Sequence, residues 1–423
     1  MSRGLKTVMI VLTAAIGLVW SQPISAQDIE CAKCHTSAET LKKLTKNLGP
    51  KGPRSTMGVE IKQTARYKRV LIDQAFFEDE NHGELECNYC HGGDPNNSDF
   101  KTAHNGVDRD PSYPAPGICS DCHDETEHYA KSLHYNIRGM KLAVDARVNP
   151  DRTVRRKVFN SFANCARCHS SCGQCHINQP VSIGGGFSAG HRFQKSPSME
   201  KTCGACHASG VSEFTGKNKS FKPDIHHENE MECMDCHTQE QMHGDGNMYD
   251  SRHDVENGPV CLDCHEEIFT DDGENKETHA AHKDEVSCHV CHSQPYNNCA
   301  DCHLTKDWGP GKFKSWTAFK IGLNPKKTDK RPESFVTLRH APTYPDIFKA
   351  DVADGLTNFN KLPTWTLATP HNIRRKTPQN SDCNNCHGNW NLFLMRKDVD
   401  TKLIKANRRV IVPPSKIPVK LLD

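Results

Sequence analysis

The sequence predicts mostly irregular coil and short α-helices with little β structure, wrapped around something other than the chain's own aliphatic side chains. Three observations predict this. All 22 cysteines of the 423-residue chain fall in eleven Cys-x-x-Cys-His pentapeptides. Only 35% of residues are hydrophobic and the mean hydropathy is −0.71, which is little apolar material for the core a chain of this length normally buries. Proline and glycine, 24 and 28 of them, punctuate the chain, and strand signals are few.

The motif cysteines are Cys31 and Cys34, Cys87 and Cys90, Cys119 and Cys122, Cys165 and Cys168, Cys172 and Cys175, Cys203 and Cys206, Cys233 and Cys236, Cys261 and Cys264, Cys288 and Cys291, Cys299 and Cys302, and Cys383 and Cys386. The histidines that follow them are His35, His91, His123, His169, His176, His207, His237, His265, His292, His303 and His387. Disulfides would use an even number of cysteines but need no histidine after each pair. Structural zinc favours two Cys-x-x-Cys pairs, or one pair with distant histidines. Neither rule places a histidine next to every second cysteine. Cys-x-x-Cys-His is the attachment signature of c-type haem. Two thioethers fix the porphyrin, and the adjacent histidine lies under the iron as proximal ligand. Eleven such flat, apolar macrocycles would supply the missing core. The expected fold is therefore a haem array wrapped by coil and short helices.

Residues 1–26 read as a secretory signal peptide. Arg3 and Lys6 precede an apolar run from Thr7 to Trp20, and Ala26 closes a short polar stretch. The run is short for a membrane span. A periplasmic or extracellular location is expected, since c-type haem is attached outside the cytoplasm.

Residues 27–303 carry ten motifs, residues 304–382 none, and the eleventh motif begins at Cys383. Trp308, Trp316, Trp365 and Trp390 all follow residue 303, so 304–423 reads as a C-terminal region with a small conventional core and one haem. Apolar spacing predicts helices over 39–48, 64–77 and 127–148. The triple glycine at 184–186 lacks the strand and spacing of a phosphate loop and reads as a turn.

A six-coordinate iron needs a second axial ligand. Fourteen histidines lie outside the proximal positions, enough for every iron. The candidates are His82, His104, His134, His191, His227, His243, His253, His282, His289, His340 and His371. The close pairs His128/His134, His226/His227 and His279/His282 leave the choice open, with one ligand of each pair being enough. A histidine precedes many motifs by a short loop, as His82 precedes Cys87 and His371 precedes Cys383. Such a leading histidine is expected to serve a neighbouring haem and so stitch the units together. The first motif has no histidine upstream, which makes it the candidate for an open iron.

His169 and His176 are seven residues apart, at most about 25 Å even when fully extended. Electron tunnelling falls exponentially with distance, so short tethers guarantee coupling. The eleven motifs and interleaved histidines, covering residues 31–387, resemble the multihaem c-type cytochromes of respiring microorganisms. That resemblance implies an exported relay of mostly bis-histidine haems, passing electrons between redox partners in anaerobic or extracellular respiration. Alternatives within it are a terminal reductase of a small inorganic substrate at one five-coordinate haem, and a subunit of a conductive filament. No Cys-x-x-Cys-Lys occurs, which counts against the pentahaem nitrite reductases.

Net charge is +2, but residues 304–423 carry +12 and residues 1–303 carry −10. Basic side chains there neutralise haem propionates or steer a partner. The expected partners are other redox proteins, other multihaem cytochromes or a second copy. No nucleic acid is expected, and membrane association only through partners.

Overall fold

The computed structural model describes residues 26–27, 29–48, 54–56, 59–165, 170–180, 183–217, 222–270, 273–296, 319–341, 343–345, 348 and 352–421; side chains at 54–56, 59–61 and 161–165 are not described. The expected signal peptide (apart from Ala26), the side chains of the fourth motif, and Cys299, Cys302, His303, Trp308 and Trp316 lie outside these residues.

Helices are short. Among the described residues the longest is Arg152–Cys165, and most others are one or two turns. Two small antiparallel sheets accompany them among these residues. In one, β1 (Arg54–Thr56) pairs with β2 (Val59–Ile61). In the other, β4 (Phe335–His340) lies between β3 (Lys320–Leu323) and β5 (Trp365–Leu367). No described helix is long and apolar enough to cross a membrane.

Of the expected helices, 39–48 forms as Ala38–Thr45 plus a 3₁₀ turn. Ser37 caps it by accepting from the Thr40 amide. The other two expectations need correction. Residues 64–77 form two separate 3₁₀ turns, Arg66–Arg69 and Gln74–Glu78. The backbone between them is engaged elsewhere: Val70 O accepts from His35 Nδ1, and Ile72 N donates to His35 O. Residues 127–148 break at Ile137, whose φ of 44° separates Leu133–Asn136 from Arg138–Asp145. Tertiary contacts override local propensity at both places.

The aliphatic core is small and sits mainly in the C-terminal region. Val336 and Leu338 of β4 pack with Trp365, Leu367, Leu394, Val399, Leu403 and Val410. On the other side Ile321, Phe393, Val412 and Ile417 enclose Val290, which lies inside the ninth motif. Tyr296 hydroxyl donates to Leu338 O, and Ser287 N to Phe335 O. A third cluster joins Ile137, Val148 and Val158 to Phe348, Val352 and Leu356. Buried Arg147 donates to the carbonyls of Phe359, Leu362 and Pro363. The packing thus runs across residue 303, with the C-terminal region clamping earlier segments.

Asn407 is the polar pin of this core. It is wholly buried, its Oδ1 accepts from the amides of Thr364 and Trp365, and its Nδ2 donates to Leu403 O. Asn407→Ala leaves two buried amides unpaired, at about 1–3 kcal/mol each. The expected result is a clearly lower denaturant midpoint; an unchanged midpoint contradicts this role.

Candidate functional site

The motif sequence dictates its local geometry. Residues at i, i+3 and i+4 share one face of a helical turn, so one turn presents both cysteines and the histidine together. Cys87–His91, Cys172–His176 and Cys288–His292 are single α-turns. In the tighter motifs the histidine amide closes the turn onto the first cysteine carbonyl, as in His237 N to Cys233 O (2.9 Å) and His387 N to Cys383 O (2.8 Å).

Each described motif histidine faces one histidine from outside the motifs. The ring-centre separations are 6.1 Å for His35–His104, 6.0 Å for His91–His191 and 6.1 Å for His123–His82. They are 6.1 Å for His176–His243, 6.3 Å for His207–His134 and 6.3 Å for His237–His371. They are 6.0 Å for His265–His226, 6.2 Å for His292–His279 and 6.1 Å for His387–His282. The interplanar angles meanwhile run from 9° to 82°. Rings in direct contact would sit nearer when parallel than when edge-on. A constant gap at every angle is what a spacer between ring nitrogens imposes. A metal–imidazole bond of about 2.0 Å on each side, with roughly 1.1 Å from nitrogen to ring centre, predicts about 6.2 Å.

Hydrogen bonds set the tautomers. The Nδ1 atoms of His35, His91, His104, His176, His279, His282, His292 and His387 lie 2.6–3.2 Å from backbone carbonyl oxygens. A carbonyl only accepts, so the hydrogen is on Nδ1 and Nε2 offers its lone pair. Burial holds His134 and His191 down to about 4, with neighbouring histidines adding to the effect. Both rings are therefore neutral at pH 7, the form that ligates metal.

Several sequence expectations change here. Both members of His279/His282 face a motif histidine, because they project from one helix, Lys276–His282, toward two different motifs. Of the open pair His226/His227, His226 faces His265. His227 instead packs on Phe214 at 5.1 Å. His340 stacks on Trp365 at 4.7 Å, and His253 contacts Arg252 and Arg331. His128, His253, His289 and His340 face no motif histidine among the described residues. The first motif, the candidate for an open iron, has His104 opposite it. Leading histidines reach across to other motifs, as His191 does to His91 and His371 to His237.

The described motifs other than the eleventh line one continuous cavity of about 5880 Å³. Small-molecule pockets are typically about 300–1,000 Å³, so this space suits many bulky groups rather than one. None of the described cysteines is disulfide-bonded. No group of three or more His, Cys, Asp or Glu side chains among the described residues is placed to hold a metal ion. Pairs alone do not complete a tetrahedral zinc site. They do fit a metal whose equatorial ligands come from a macrocycle.

Cysteine contacts order the motifs. Cys31 lies within electrostatic range of Cys87, Cys90 of Cys119, Cys175 of Cys203, Cys236 of Cys264 and Cys291 of Cys386. The thiols of Cys119 and Cys172, of Cys203 and Cys233, and of Cys261 and Cys288 are also close neighbours. Among the described residues these contacts run in one line through the first, second, third, fifth, sixth, seventh, eighth, ninth and eleventh motifs. Searches against family models, curated proteins and solved structures find no match.

The buried histidines predict a pH dependence. The unfolded chain protonates near pH 6.5, whereas His134 and His191 resist protonation until about 4. Their stabilisation is present above pH 6.5 and is lost as the pH falls toward 4. Far-UV circular dichroism melts are expected to shift to lower temperature from pH 7 to pH 4.5. A melt independent of pH over that window contradicts the prediction.

Proposed function

We propose that the chain is an exported eleven-haem c-type cytochrome that relays electrons between redox partners in anaerobic or extracellular respiration. The observation that carries this reading is the set of nine cross-pairs, each with one motif and one non-motif histidine at 6.0–6.3 Å. When bound, each haem supplies a one-electron iron couple. The chain's residues do the rest. Paired cysteines would hold each group through thioethers, and the paired imidazoles would ligate its iron. Backbone carbonyls on Nδ1 fix ring orientation and raise ligand basicity. The path of neighbouring cysteines keeps successive groups close, and the eleventh motif lies outside the shared cavity, at one end of that path.

A relay keeps its irons closed, whereas a reductase needs one open position. Two imidazoles at each of the nine described centres support the relay.

The test uses the fully loaded protein. A low-potential donor is expected to reduce every haem, and a soluble ferric chelate to reoxidise them, with low-spin spectra and no carbon monoxide binding. His104→Ala is expected to open one iron of eleven, seen as a high-spin fraction near one eleventh that binds carbon monoxide. Wild-type protein that already binds carbon monoxide and turns over nitrite would overturn the relay.

A further inference from the structure

The Nδ1 partners of the paired histidines are not equivalent. Eight face backbone carbonyls, as described above. Three, on His134, His191 and His243, are buried with no hydrogen-bond partner among the described residues, and His82 Nδ1 lies 3.4 Å from the Asp79 carboxylate, which is 26% exposed. His123 meets the Glu125 carboxylate at 3.1 Å, but both side chains are 45% exposed, where water screens the charge. His226 alone meets a buried carboxylate: Asp224 Oδ1 lies 2.8 Å from its Nδ1, and the Asp224 side chain is 3% exposed.

Asp224 is fixed from several directions. Oδ1 also accepts from the His226 amide at 2.8 Å, and Oδ2 accepts from the Ile373 amide at 2.7 Å. Ile373 follows two residues after His371, which faces His237. One carboxylate therefore holds the non-motif histidine of the eighth centre and the segment bearing that of the seventh. No lysine or arginine pairs with it among the described residues. An acceptor carrying full charge, desolvated and in line with Nδ1–H, pushes electron density onto the imidazole. A more electron-rich axial ligand stabilises the oxidised metal, and second-shell hydrogen bonding is an established lever on haem potential.

We propose that Asp224 is a positioning residue that gives the His226–His265 centre the lowest potential of the relay, creating an uphill step between the seventh and ninth centres. This rests on reading the paired histidines as haem ligands. The test is a spectroelectrochemical titration of the haem-loaded full chain, with low-temperature electron paramagnetic resonance. Asp224→Asn is expected to move the lowest-potential component upward, leaving haem content at eleven, and to change the g-values of one low-spin signal. Glu125→Gln is expected to leave the low end in place. Should Asp224→Asn lose haem, Asp224→Glu decides: a retained low component supports the proposal, and a loaded Glu variant lacking it overturns it. A loaded Asn variant with an unchanged low end, or a low end moved by Glu125→Gln instead, also overturns it. Wild-type protein that holds no haem would fail earlier and overturn the proposed function itself.

Discussion

Imidazole rings held in pairs across one gap of 6.0–6.3 Å between ring centres are the constraint on which this structure depends. The gap recurs nine times at nearly one length while the ring planes take any relative angle. Packed aromatic pairs take centre separations of about 4.5–7 Å, so nearly one length at every angle is a narrow spread. Most pairs bring distant parts of the chain together, although His279 and His292 are only 13 positions apart. His91 is held against a residue 100 positions later, and His237 against one 134 positions later.

This division of labour explains the composition. Aliphatic packing concentrates where the C-terminal sheet needs it, around Leu338, Leu394 and Val412, all almost fully buried. Elsewhere the polypeptide surrounds a cavity too large for its own side chains to fill. The two regimes meet in the ninth motif, whose Val290 enters the aliphatic core while Cys288, Cys291 and His292 line the cavity. Hydrogen bonds reinforce the junction: Gln379 donates to the carbonyls of Val290 and Ser293. The C-terminal region thereby serves as a rigid anchor for the end of the path.

The motifs were legible in the sequence because their chemistry is local: one turn brings together residues at i, i+3 and i+4. Partner histidines were legible in number but only partly in identity, since opposition across a gap depends on the path of the chain. His226 and His227 differ by one position, and Asp224, which caps that turn and binds His226, decides between them. His279 and His282 both take part because adjacent centres flank one helix, which no local pattern announces. The helix expected over 64–77 is absent for a related reason, its backbone being recruited to orient His35. The order of the centres was not legible at all, as it rests on cysteine contacts between motifs.

The most direct measurement is the intact mass of the mature protein, purified from a host able to mature c-type cytochromes, together with its visible spectrum. The account predicts a mass equal to the polypeptide plus eleven haems, with a low-spin haem spectrum. A colourless protein with the mass of the bare polypeptide would contradict it.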